Sequence, residues 1–356
     1  MDQVYQKTAK AVVICRFSTN GSFWYEEKVI PKKRRSYKVF SEEKTMGKEN
    51  LRENNEAERL LSEGIRLAGS SKKKERVLAA EYFQKALELG CESAAYPMAV
   101  CFESGEGVKK DTQKAEEFYR RAAENGDPRA WNALGVQMEE RAKPDMEQAV
   151  EAYRKAADQG DSWGMYNLAW CFRSGTGTVS DLSESVRLYE LAAGKGLAEA
   201  QCTLAYFLLS GLSVETDEKA AVEWYERAAE QKNARAMVSL AYCYRNGKGM
   251  KKDEKRAADL DLEAAKLGDP EGLYNAGCLY LSGKEVPKDE IEAVKCFRKA
   301  AKLLHPRARY NLAVCLANGI GGEKDPEEAV RLCRLVKRSG DEEAAMAAEK
   351  LLETLL

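Results

Sequence analysis

The sequence predicts an all-α protein, an α-solenoid of about eight helix-loop-helix repeats, and two observations carry that prediction. Aligning the small residue that opens the apolar face of each second helix gives Ala79, Ala115, Ala149, Ser185, Ala221, Ala257, Ala293 and Ala329, spaced by 36 residues apart from one interval of 34. Residues 236–272 then contain one unit in full. Leu240, Ala241 and Tyr244 follow at helical spacing, Gly247 and Gly249 break the helix, Asp253 starts another, and Ala257, Ala264 and Ala265 mark a second apolar face that ends at Gly268.

Taken in order, residues 1–50 stand outside the repeat. Residues 11–17 and 22–30 are rich in β-branched and aromatic side chains and flank Asn20-Gly21, a hairpin-turn signal; residues 36–40 would add a third strand. So few strands are marginal alone, and the segment reads either as a small β-hairpin docked on the solenoid or as a disordered extension. Lys32-Lys33-Arg34-Arg35 reads first as a solvated loop, and alternatively as a nuclear-localisation or anion-binding cluster. Asn20-Gly21-Ser22 matches a glycosylation acceptor, but the aliphatic run 11–15 is too short for a signal-peptide core or a membrane span. A cytoplasmic location is expected, or a nuclear one if the basic cluster acts as an address.

Residues 51–341 carry the repeats, and 342–356 read as an amphipathic helix capping the last apolar face. Gly105, Gly175, Gly211, Gly247, Gly283 and Gly319 fall where each first helix must stop. Asp111, Asp181, Asp217, Asp253, Asp289 and Asp325 stand where a carboxylate can accept from the free amides of the second helix. Four residues after the anchor comes an aromatic column, Tyr119, Tyr153, Tyr189, Tyr225 and Phe297, with Tyr82 or Phe83 in the first unit. Paired alanines such as Ala156-Ala157 and Ala228-Ala229 permit close helix approach. The short interval maps to residues 139–144, so the deletion falls in a loop and spares both helices.

The chain has 10 cysteines. Cys101, Cys171, Cys243 and Cys315 share one repeat position, and no CxxC or Cys/His cluster has metal-ligand spacing. Buried free thiols in a helix seam are expected, with disulfides as the alternative.

The pattern Ala-x-x-x-Leu-Ala-x-x-Tyr-x-x-Gly-x-Gly-x-x-x-Asp, followed by Ala-x-x-x-Tyr-x-x-Ala-Ala-x-x-Gly, resembles the SEL-like (Sel-1-like) repeat family, relatives of the tetratricopeptide repeat. The resemblance spans roughly residues 57–341. The first unit lacks the Gly-x-Gly loop, and the last carries Cys333 and Val336 at second-helix positions, as suits end units. The resemblance implies a right-handed superhelix that scaffolds protein complexes, in bacterial signalling and host interaction and in eukaryotic quality control.

Residues that could do chemistry are few. The single histidine, His305, is expected at the end of a second helix. The Gly-x-Gly pairs follow helices rather than strands, which removes the context of a phosphate cradle. Because some SEL-like proteins are linked to penicillin binding, Ser-x-x-Lys matters: it occurs at Ser41/Lys44, Ser70/Lys73 and Ser71/Lys74, in lysine-rich linker sequence and without Ser-Asp-Asn. The expected protein is not an enzyme and needs no cofactor or metal. A β-lactam-type hydrolase is the weakest alternative.

A binding groove has more support. Positions one and two before the first-helix Leu, and two after it, turn away from the second helix. The last of these columns reads Val100, Val136, Trp170, Tyr206, Tyr242, Cys278, Val314, with three aromatics in successive units. Tyr166, Asn167, Tyr274, Asn275, Tyr310 and Asn311 lie beside it, and Arg173 and Arg245 come three residues after Trp170 and Tyr242. In arrays of the resembled kind the first helices line a concave side where Asn can bond a peptide backbone. These residues are therefore the candidate groove, against a competing reading in which the aromatics pack between repeats and the asparagines tie helices together. The expected partner is a protein or peptide. With 57 Lys and Arg against 58 Asp and Glu, no global field favours nucleic acid or membrane. A targeting or nucleic-acid-linked regulator acting through residues 32–35 and 72–74 is the alternative function.

Overall fold

The computed structural model describes residues 41–355 together with 16–17 and 23–24, and side chains from Asn54 onward. The chain divides into two units, Met1–Asn55 and Glu56–Leu356. In the first, β1 (Arg16–Phe17) pairs antiparallel with β2 (Phe23–Trp24), Arg16 opposite Trp24 and Phe17 opposite Phe23. Residues 32–35 and the strand expected at 36–40 lie outside the described residues.

Eight first helices alternate with eight second helices. The first helices are α1 (Ser41–Ala68), α3 (Ala95–Ser104), α5 (Pro128–Glu139), α7 (Ser162–Ser174), α9 (Ala198–Ser210), α11 (Ala234–Asn246), α13 (Pro270–Ser282) and α15 (Pro306–Asn318). The second helices are α2 (Lys73–Glu88), α4 (Thr112–Glu124), α6 (Met146–Asp158), α8 (Leu182–Gly194), α10 (Glu218–Glu230), α12 (Glu254–Lys266), α14 (Glu290–Lys302) and α16 (Pro326–Val336). From α2 onward each helix packs on its neighbours in sequence, and α17 (Glu342–Leu355) closes the array against α15 and α16. This is an α-solenoid.

Helix α1 begins ahead of residue 51, where the repeat pattern starts. The residues ahead of it, rich in Glu and Lys, favour helix without carrying the repeat's signature. Ser41 and Lys44 consequently sit within a helix rather than in a linker.

Local chemistry explains the repeat. The carboxylates of Asp111, Asp181, Asp217, Asp253, Asp289 and Asp325 each accept from a first-turn amide of the following helix, at 2.9–3.1 Å. Each such cap is worth about 1 kcal/mol. The backbone amide of the same Asp donates to the first helix, as from Asp253 to the Tyr244 carbonyl at 3.0 Å, so one residue ends the loop and starts the helix. In the shortened loop Asp145 still caps α6 and donates to the Met138 carbonyl, and both helices survive.

The second glycine of the loop has a different task. Gly249 has φ +67°, and a Cβ there would collide with the Glu218 carbonyl of the preceding repeat. Its amide donates to Glu218 Oε2 at 2.9 Å. Repeat-to-repeat distance is therefore set at this glycine, which only a residue without a side chain can occupy.

The core is a seam of small and aromatic residues, in four clusters along the array. Tyr119, Tyr153, Tyr189, Tyr225, Phe297 and, in the first unit, Phe83 are fully buried between helices. Each removes enough apolar surface to stabilise by about 1.5–3 kcal/mol. Facing them are residues such as Ala169 and Gly135; a Cβ on Gly135 would strike the Tyr153 ring. Cys101, Cys171, Cys243 and Cys315 are buried in the same seam, and all nine described cysteines are free. Burial pushes the Cys243 thiol up to about 11 and that of Cys171 up to about 12.

Candidate functional site

The groove columns turn away from the second helices, and exposure separates their members. Tyr206 on α9 is 53% exposed and Tyr242 on α11 is 48% exposed. Trp170 on α7 is half-buried and packs against the core together with Val136 and Tyr166. The aromatic column is thus part surface and part seam.

The asparagines act mainly within the fold. Asn167 Nδ2 donates to Asn132 Oδ1 at 2.8 Å and ties α7 to α5. Asn275 Nδ2 donates to Asp261 Oδ1 at 2.9 Å, and Asn311 Nδ2 reaches Cys278 Sγ at 3.7 Å. Tyr310 packs on the core of the last repeats. Tyr274 stacks on His305 with ring centroids 4.9 Å apart, and burial pushes its hydroxyl up to about 12.

His305 does not end a helix. Helix α14 stops at Lys302, Leu304 turns at φ +66°, and His305 becomes the N-cap of α15. Its Nδ1 accepts from the Ala308 amide at 3.1 Å, which leaves Nε2 to donate to Glu271 Oε2 at 2.9 Å. Both ring nitrogens are committed to structure.

Arg245 is also committed. It bonds Asp261, a fully buried carboxylate at the position where the neighbouring repeats place Tyr225 and Phe297. Burial pushes the Asp261 carboxyl up, against the opposing pull of Asn275 and Arg245. The signal for this pair was present in the sequence as the one charged residue in the aromatic column.

Four of the sequence-selected residues meet at one place. Tyr166, Trp170, Arg173 and Tyr206 line a cavity of about 330 Å³ between α7, α9 and α11. Sequence reasoning missed the rest of its wall, Tyr189, Cys202, Thr203, Tyr225, Arg235 and Ser239. Arg235 lies five positions before Leu240, a column that alternates between Arg129, Trp163, Glu199, Arg235, Glu271 and Arg307 and so shows no single residue type. Arg235 Nη2 donates to Thr203 Oγ1 at 3.0 Å and its Nε approaches Cys202 Sγ at 3.4 Å. The Tyr189 ring is fixed edge-on against Tyr166 at 5.4 Å and beside Phe207 at 5.7 Å.

A second cavity, of about 420 Å³, opens at the N-terminal end between α1, α2 and α3, where Leu61, Ile65, Phe83, Tyr96 and Val100 give it an apolar wall. Among the described residues no group of three or more His, Cys, Asp or Glu side chains could hold a metal ion, and no helix is long and apolar enough to cross a membrane. Lys72, from the second basic cluster, pairs with Glu75 at 2.9 Å.

Comparison with known proteins gives a consistent answer. The Sel1 repeat model matches residues 56–91, 93–127, 132–161, 164–197, 198–233, 234–269, 270–303 and 306–341. Among solved structures the chain is similar to c5321, a protective antigen present in uropathogenic Escherichia coli strains displaying an SLR fold. That match has a TM-score of 0.62 at 27% identity and covers 89% of this chain and 68% of the antigen. It is also similar to a Sel1 repeat protein from Oxalobacter formigenes, with a TM-score of 0.59 at 25% identity, covering 90% of this chain and 98% of the other. No curated protein matches the sequence.

Proposed function

Because the chain belongs to the Sel1 repeat family, whose solenoids generally serve as protein-interaction scaffolds, we propose that it is a non-enzymatic adaptor that holds a polypeptide along its first helices. The observation that carries this reading is the pair Tyr206 and Tyr242, large aromatics one repeat apart that remain half in solvent on a scaffold that buries the second-helix tyrosines Tyr119, Tyr153, Tyr189 and Tyr225. Aromatic and Arg side chains are the usual energetic centres of interfaces. The cavity beside Tyr206 brings both kinds together. The mechanism is simultaneous display: rigid helices present side chains from successive repeats to one extended ligand, with little ordering cost on the scaffold side.

The test is capture from native extract with the intact chain and with a Tyr206→Ala/Tyr242→Ala double variant, followed by titration of each purified partner against both. Circular dichroism checks that both are folded. Direct binding that the double variant loses supports the reading; equal affinity for both proteins overturns it.

A further inference from the structure

The repeats supply an internal comparison at the position five residues after the first-helix Leu or its equivalent. In the second and third repeats that position is Glu103 and Glu139, and each carboxylate accepts from the buried tyrosine of its own second helix, Tyr119 and Tyr153, at 2.8 Å. In the sixth repeat the position is Arg245, and the tyrosine is replaced by Asp261, which pairs with it. In each of these units a carboxylate and its partner are both supplied by the chain. The fourth repeat differs. Its residue is Arg173, its tyrosine is Tyr189, and no described residue supplies a carboxylate.

Among the described residues Arg173 makes no hydrogen bond or ion pair, the Tyr189 hydroxyl makes no hydrogen bond, and Arg235 across the same cavity has no carboxylate partner. Two guanidinium groups and a phenol thus line about 330 Å³ of accessible space, at the small end of the range of about 300–1,000 Å³ usual for ligand pockets. Arg presents a planar fork matched to a carboxylate, and hydrogen bonds assisted by charge are the strong ones.

We propose that the cavity bounded by Arg173, Tyr189 and Arg235 takes a carboxylate carried by the bound polypeptide, in the place that Glu103 and Glu139 fill in earlier repeats. The inference rests on the groove reading above and names the chemistry that the groove selects. The carboxylate comes from an acidic side chain or from a chain terminus. Both present the same two oxygens, and experiment separates them.

The probe is a synthetic random hexapeptide library made in two forms, with free C-terminal carboxylates and with C-terminal amides, panned over the full chain. Asp or Glu at a fixed position in both forms identifies a side chain; retention of the free-acid form alone identifies the terminus. Arg173→Gln and Arg235→Gln should each weaken the selected peptides about tenfold, and the intact protein should lose affinity as salt rises. Arg173→Glu is the folding control, since Glu103 and Glu139 already occupy that position beside Tyr119 and Tyr153; it should stay folded and bind no acidic peptide. Selected peptides without a carboxylate, or with affinity unchanged by the Arg variants, overturn this inference and leave the groove reading standing if Tyr206→Ala/Tyr242→Ala still abolishes binding. Retention of no peptide at all overturns both.

Discussion

Arg245 reaches from α11 to a carboxylate that has no solvent exposure: its guanidinium bonds Asp261 on α12, at the position where the preceding repeats bury a tyrosine. Arg245 itself is 41% exposed, so one end of the pair is dry and the other wet. Burial raises the Asp261 carboxyl above its ordinary range despite both partners, which means desolvation outweighs the pairing.

This asymmetry gives a signed prediction. A carboxylate with a raised folded-state pKa carries a penalty that is absent at acid pH and grows as pH rises from the unfolded value through the folded one. Arg245→Ala removes a group that opposes the shift, so its folded-state pKa should rise further. The variant should match the parent near pH 4 and fall about 2–3 kcal/mol below it near pH 8. Urea midpoints measured across that range check this. A gap independent of pH would mean that Arg245 contributes packing alone.

Gly249 and Gly268 separate backbone strain from repeat contact. Both have positive φ, +67° and +86°, but a Cβ at Gly268 meets nothing within 4 Å, whereas one at Gly249 meets the Glu218 carbonyl. Gly268→Ala should cost about 1 kcal/mol from φ alone. Gly249→Ala should cost about 3 kcal/mol or more, because the two repeats must also part. Denaturant unfolding of the two variants makes the comparison; equal losses would show that the loop yields freely.

The features legible in the sequence were those each repeat states again: the N-cap aspartates, the loop glycines, the buried tyrosines. Each rests on chemistry within a few residues, so its spacing survives in the sequence. Partnership across helices does not. Arg173 and Arg245 occupy the same column and read alike, yet among the described residues Arg245 is paired and Arg173 is not, because the difference lies 16 residues on, at Tyr189 and Asp261. For Asn167 and Asn275 the sequence leaves open a peptide-facing role and a tie between helices; only their partners, Asn132 and Asp261, distinguish the two. Arg235 escaped notice because its column mixes both charges. Position along a helix is periodic; the identity of what stands opposite is not.

The thiols offer a chemical check on the seam. Cys101, Cys171, Cys243 and Cys315 are buried, and burial pushes them up to about 11 or 12, so almost none is thiolate near neutrality. Cys91 and Cys278 are only half-buried. Alkylation of the native protein, read by peptide mass spectrometry, should label Cys91 and Cys278 first and the four seam cysteines only after denaturant is added. Rapid native labelling of Cys171 or Cys243 would show that neighbouring repeats open readily.

The groove aromatics should divide by burial. Tyr206 and Tyr242 stand about half in solvent, so replacing either by Ala should change stability by no more than about 0.5 kcal/mol. Trp170 packs on the core beside Tyr166 and Val136, and its loss should cost about 2 kcal/mol through the cavity left behind. A binding defect in Trp170→Ala is therefore ambiguous, since a loosened α7 also misplaces Arg173. A defect in Tyr206→Ala is not, because the helix beneath it is held by Ala205 and Phe207, both fully buried. Thermal unfolding of the three variants beside peptide titration sorts them. Tyr206→Ala should keep the parent's melting temperature and lose affinity about tenfold or more. If it melts early instead, the tyrosine is holding the repeats together and the groove must be sought on another face.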